Sequence, residues 1–300
     1  MWIFLAFLSA CLLGFYDVFK KQSLQDNAVL PVLMINTSVC ALLFLPLIVS
    51  SVCDMNSVVP CGGWHEHALV FAKAVIVLSS WVCGYYAMKH LPLTIVGPIN
   101  ATRPVMTIVG ALLVYSESLN LWQWTGVLLA IISFFLLSRS GKKEGIRFSH
   151  NAWICLLVIA AFLGAASGLY DKYLMAPKVD GGAGLNRYFV QAWYNQYQAV
   201  MMFIVLLFIW FPQRRRVTPF KWRWSILLIS LFLTAADMAY FYALSCPGAM
   251  IAVVSMVRRG SVIVSFIFGA ILMKEKNLQS KALDLFFVLL GMVCLFIGSR

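Results

Sequence analysis

Apolar stretches long enough to cross a bilayer recur along the whole chain, and few folds can accept that. Ten of them stand out, at 2–19, 29–52, 68–89, 93–115, 120–138, 152–173, 188–212, 224–244, 248–273 and 282–298. A helix needs about 20 apolar residues to span the hydrocarbon core. Apolar residues make up 62% of the chain and charged ones 11%, whereas a soluble domain carries about 25% charged residues. Lipid offers no partners to backbone polar groups, so a spanning segment of this length must be helical. The expected fold is an all-α integral membrane protein of ten transmembrane helices, with no room for a separate soluble domain.

The chain also says much the same thing twice. Gly14-Phe15-Tyr16-Asp17 recurs as Gly168-Leu169-Tyr170-Asp171, and Gly110-Ala111-Leu112-Leu113 with Glu117 recurs as Gly269-Ala270-Ile271-Leu272 with Glu275. Leu137-Ser138-Arg139 closes the first half, and Gly298-Ser299-Arg300 closes the second. The basic connection at 139–151 divides the chain into 1–148 and 149–300. Five spans fall in each half, and an odd number gives the halves opposite orientations. Two inverted five-helix repeats are a common build for secondary transporters, which bind solute where the repeats meet.

The net charge of +12 requires no nucleic-acid partner. Loops at 20–21, 89, 139–147, 214–223 and 274–281 hold fifteen Lys or Arg, and the opposite set holds four. Short cytoplasmic loops collect Lys and Arg, so the bias favours both termini outside; the expected location is the cytoplasmic (inner) membrane.

Ionisable groups at mid-membrane cost about 2.5–3.5 kcal/mol each on insertion scales, so each wants a partner or a hydrated cavity. Arg103 lies at the centre of the fourth span, Arg258 and Arg259 at the centre of the ninth, and Asp237 inside the eighth. At about 100° per residue, Asn100, Arg103, Thr107 and Gly110 share a narrow stripe. Pro104 frees the carbonyl of Asn100 beside that charge. The ninth span repeats the pattern with Ser255, Arg258, Arg259, Ser265 and Gly269, and Gly260 stands where the proline stood.

Two readings of the arginines stand open, and a mixture of them, with one arginine locked and the others meeting solute, is the third. Either carboxylates such as Asp237 fix them to lock helices, or they form an electropositive site for an anionic or carboxylate-bearing solute, a task suited to the guanidinium fork. Asp17 and Asp171 lie nearer the interface, each preceded by Tyr and followed by Lys (Lys20, Lys172). They either pair locally or act as gates or proton carriers. Asp237 is either a proton carrier or an ion-pair lock.

Gln191, Tyr194, Asn195 and Gln198 form one polar face on the seventh span, either as interhelical hydrogen bonds or as a cavity wall. Asn100, Gln198 and Tyr86 are the expected polar wall beside Arg103, Arg258 and Arg259. The spacings Gly164-x-x-x-Gly168 and Ala10-x-x-x-Gly14 predict close helix packing. His65-Glu66-His67 lacks the i, i+4 histidine spacing of a helical zinc site, no catalytic constellation is visible, and no cofactor is called for. The expectation is a transporter of a small anionic or zwitterionic metabolite rather than an enzyme, the alternatives being a proton-coupled exporter of amphipathic or cationic compounds and a non-transporting membrane scaffold or receptor.

Two five-span halves carrying the paired Gly-to-Glu signatures resemble the drug/metabolite transporter superfamily, EamA type, over essentially the whole chain. The resemblance implies a central cavity surrounded by the first, third, fourth, sixth, eighth and ninth spans, with the fifth and tenth at the back. It implies transport of small metabolites or organic compounds, usually by proton coupling or exchange, with one repeat rocking against the other. Relatives are commonly drawn with both termini in the cytoplasm, against the loop charges here. A C-terminal alkaline phosphatase fusion, active only outside the cytoplasm, is expected to be active. A fusion to a reporter that works only in the cytoplasm is expected to be silent.

Overall fold

A computed structural model describes residues 2–53, 59–103, 105–106, 120–142, 151–175, 178, 181–245, 257–272 and 278–298. Among the described residues there are helices and short connections but no strand. The helices are α1 (Trp2–Leu24), α2 (Val29–Cys53), α3 (Trp64–His90), α4 (Leu93–Ala101), α5 (Leu121–Lys142) and α6 (Ala152–Met175). Then come α7 (Arg187–Val205, prolonged through a π-helical turn at Leu206–Trp210 to Gln213), α8 (Ser225–Ser245), α9 (Ser261–Leu272) and α10 (Leu278–Gly298).

Among the described residues, six helices (α1, α2, α3, α6, α7 and α10) are long and apolar enough to cross a bilayer by themselves. Shorter apolar stretches lie in α5 (Leu121–Ser133) and α8 (Ser225–Tyr240). Of the expected spans 93–115 and 248–273, α4 and α9 are the longest described helices. Pro104, Thr107, Ser255 and the signature at Gly110–Glu117, together with Glu275, lie outside the described residues.

The outer surface fits lipid. Phe4, Phe7, Leu42, Phe135, Phe162 and Phe208 are exposed, an arrangement that water would penalise and hydrocarbon does not. Trp64, Trp122 and Trp124 are exposed at the starts of α3 and α5, and Trp222 and Trp224 just before α8. Tryptophan at helix ends marks the depth of the headgroups.

With no hydrophobic force between helices in lipid, close packing and interhelical hydrogen bonds must hold the bundle. The most extensive contacts are α1 on α8, α3 on α6 and α5 on α10. Each of these pairs carries a buried serine bonded to a backbone carbonyl of its neighbour. Ser9 Oγ donates to the Ala236 carbonyl (2.6 Å), Ser80 Oγ to Ala160 (2.7 Å) and Ser133 Oγ to Asp284 (2.7 Å). Adding five to each label carries α1–α8 onto α6–α3 and α3–α7 onto α8–α2, while α2–α7, α4–α9 and α5–α10 map onto themselves; all of these pairs touch.

One end of the bundle is stitched by its basic residues. Lys21 Nζ donates to the carbonyls of Met88 (2.7 Å) and Leu91 (2.6 Å), closing the end of α3. Lys89 Nζ donates to Thr218 Oγ1 (2.9 Å), Arg223 Nη1 to the Gln22 carbonyl (2.6 Å), and Asn27 and Lys221 bond reciprocally at 2.8 Å. Two residues counted with the basic loops sit elsewhere, because the helices run past the expected span limits. Lys20 is buried within α1, and Lys281 is wholly buried within α10.

The small residues differ in what they do. A Cβ on Gly14 would stand 2.5 Å from Val264 Cβ and 3.0 Å from the Ser261 carbonyl, so α1 and α9 need a glycine here. A Cβ on Gly168 would meet nothing within 4 Å. Overpacking costs about 1–3 kcal/mol. Gly14→Ala is therefore expected to lower the melting temperature of the detergent-purified protein, whereas Gly168→Ala is expected to leave it unchanged.

Candidate functional site

The arginines lie near α4, which packs on both α6 and α9, and one of them reaches α8. Arg103 lies in the helical turn that continues α4. Its guanidinium lies along Gly164 of α6, where a Cβ would stand 3.0 Å from both Cζ and Nη1. Gly164, expected as a notch for helix packing, is a notch for a guanidinium.

Arg258 and Arg259 lie in the turn that leads into α9. Arg258 Nη2 donates to Asp237 Oδ1 on α8, and its guanidinium sits 4.3 Å from the centre of the Tyr240 ring. The other carboxylate oxygen, Asp237 Oδ2, accepts from Gln191 Nε2 of α7 at 3.4 Å; the same amide reaches the Tyr194 hydroxyl at 3.4 Å. Asp237 is thus held by an arginine.

Arg259 differs. It lies within electrostatic reach of both Arg103 and Arg258, and among the described residues it forms no hydrogen bond or ion pair. The nearby acids are already engaged. Asp17 Oδ1 accepts from Lys20 Nζ at 2.9 Å and its Oδ2 lies 3.4 Å from Ser265 Oγ. Asp171 is bonded by Lys73 Nζ, and Asp237 by Arg258. Asp17 also acts on Arg103 through space. Of these acids, Asp237 is the one bonded to Arg258.

Asp17 pairs locally, as one reading of it held. Asp171 does not: its partner Lys73 lies on α3, 98 residues away, whereas the side chain of Lys172 lies outside the described residues. Both of these lysines rest on rings. Lys20 Nζ is 4.2 Å from the centre of Tyr16 and 5.2 Å from that of Tyr85, and Lys73 Nζ is 5.2 Å from that of Tyr194. Lys73 was missed in the sequence, although a lysine inside an apolar span carried the same signal as Arg103. Asp284, buried in α10, was missed likewise.

The polar face of α7 divides. Gln191 joins the Asp237 pair, Asn195 Nδ2 donates to the Gln191 carbonyl at 2.9 Å, and Gln198 is wholly buried with both amide atoms unpartnered among the described residues. Asn100, about one turn before Arg103, has a buried Oδ1 without a partner there too. An unsatisfied buried polar group costs about 1–3 kcal/mol. Tyr86 is half-buried and packs against the apolar core between the helices.

The His65-Glu66-His67 segment serves the start of α3. Glu66 Oε2 accepts from the Gly63 amide at 2.8 Å, and His67 Nδ1 meets the Tyr197 hydroxyl at 2.8 Å between Phe189 and Trp193. A pocket beside it, lined by Ile48, Ser51, Val59, Cys61, His67 and Trp193, includes none of the arginines.

Gly164 and Arg103 form a pair that a double-mutant cycle can isolate. Gly164→Val is expected to destabilise the protein by about 1–3 kcal/mol. In an Arg103→Ala background most of that loss should disappear, as read by melting temperatures of all four proteins.

Residues 1–139 match the profile of the EamA-like transporter family. A crystal structure of another protein, 10% identical, superposes over 100% of this chain and 98% of its own with a TM-score of 0.63. That likeness speaks for the fold alone. No curated protein matches the chain in sequence.

Proposed function

We propose that this chain, whose residues 1–139 match the EamA-like transporter family, is a secondary transporter that carries a small anionic or zwitterionic metabolite across the cytoplasmic membrane. The observation that carries the reading is Arg259, a mid-membrane guanidinium with two like charges nearby and no bonded anion among the described residues. Such a charge is costly in a bilayer unless something neutralises it. A carboxylate or phosphate on a solute would do so, with Arg103 and Arg258 alongside to complete a fork-shaped recognition site. Asn100 and Gln198 offer unspent hydrogen bonds, and Tyr86 a ring.

The α1–α8 and α6–α3 pairs, the self-mapped pairs and the repeated sequence signatures support ten spans in two inverted repeats. The most extensive contacts cross between the halves rather than staying inside them. Alternating access then moves the α1–α8 and α3–α6 pairs against each other around the arginines, instead of one repeat against the other. The stitched basic end faces the cytoplasm on this reading, and the termini lie outside.

Asp17, Asp171 and Asp237 each already hold a cation, which disfavours the alternative of exporting amphipathic cations through them. A non-transporting scaffold would leave the charge of Arg259 without a purpose. Purified protein challenged with carboxylates, phosphates, amino acids and lipophilic cations is expected to be stabilised by anions. Counterflow of the best anion in proteoliposomes is expected to fall about 10-fold or more in Arg259→Gln, the loss of one charge-assisted hydrogen bond of about 1.5–3 kcal/mol. Cation flux that Asp237→Asn abolishes and Arg103→Gln spares would overturn this reading.

A further inference from the structure

We propose that Asp237 is a built-in competitor of the solute: an anionic solute takes Arg258 from Asp237, and Asp237, left without its cation, binds a proton from water. This rests on the anion reading above and adds what happens to the charge that the solute displaces.

Three features of the pair suit it to exchange. Arg258 holds Asp237 through one nitrogen, Nη2, to one oxygen, Oδ1. The paired, parallel bonds of a guanidinium–carboxylate fork are the arrangement that resists substitution, and they are not made here. Tyr240 covers the guanidinium at 4.3 Å whichever anion it serves, so Arg258 can change partners without losing its seat. Arg259 is the adjacent residue and brings a second charge that Asp237 does not engage, so an arriving anion gains two guanidinium groups where Asp237 has one.

The surroundings decide what Asp237 does next. From α9 it faces Arg258; from α7, Gln191 at 3.4 Å and the Tyr194 hydroxyl; from α2, the buried thiol of Cys40. On the α1 side the nearest bond is that of Ser9 to the neighbouring Ala236 carbonyl. Among the described residues no second cation bonds it. A carboxylate stripped of its only cation in a low-dielectric interior neutralises by taking up a proton. Gln191, whose amide has a carbonyl as well as an NH2, can turn to accept from the acid so formed. For a solute of net charge −1 the count balances: one negative charge enters on the solute, one proton enters on Asp237, and the net charge of the site stays as it was.

The test is calorimetric titration of the detergent-purified protein with sulfate, succinate or glutamate, whichever gives the largest thermal shift, at a pH where the probe does not titrate. Heats measured in two buffers of different ionisation enthalpy give the protons linked to binding. About one proton taken up per anion is expected in the wild type, with binding weakening about tenfold per unit rise in pH. In Asp237→Asn the linked proton should vanish and the anion should bind more tightly, because its competitor is gone. Arg258→Gln checks the same point by another route. There Asp237 has no Arg258 to lose, so no proton should be linked to any residual binding. Wild-type binding with no linked proton overturns the exchange and leaves the anion reading standing. An absence of thermal shift with every anion tried would sink the anion reading, and the exchange with it.

Discussion

A charged group inside a bilayer must find an opposite charge, a polar shell or water, and that demand organises the interior of this protein. Three of its acids obey it by direct pairing: Asp17 with Lys20, Asp171 with Lys73, Asp237 with Arg258. Aromatic rings share the load, since Tyr16, Tyr85, Tyr194 and Tyr240 each lie against one of those cations. Gly164 gives up its side chain so that a guanidinium can lie against α6. Arg259 stands apart from these arrangements, and the functional reading follows from that exception.

The helices that carry these groups are held by contacts that cross from one half of the chain to the other. A serine-to-carbonyl bond marks each of the three most extensive interfaces, at Ser9, Ser80 and Ser133. Such bonds are worth about 0.6 kcal/mol on average in membrane proteins, so they set register more than they add stability. The α4 and α9 helices touch each other in the middle of this scaffold, and the arginines hang from that crossing.

Much of this was legible in the sequence, because the bilayer imposes simple rules. Span length located the helices, and a charge within an apolar run located Arg103, Arg258, Arg259 and Asp237. The same rule, applied to every span, would have found Lys73 and Asp284. What could not be read was pairing. Lys73 and Asp171 are 98 residues apart and meet because α3 packs on α6; no local pattern encodes that. The glycine spacing at 164 and 168 suggested one role for two residues, yet only the fold reveals that the first accommodates Arg103 and the second accommodates nothing. Counting Lys20 and Lys281 with the positive loops hid that both are buried within helices.

The most direct test is to look for an anion at the arginines. Crystals of the protein soaked with bromide or selenate, measured at an anomalous edge, should show a peak within about 4 Å of the Arg258 and Arg259 guanidinium groups, the reach of a charge-assisted contact. A map in which Arg259 is instead capped by one of the protein's own carboxylates, with no anion peak beside it, would contradict the account.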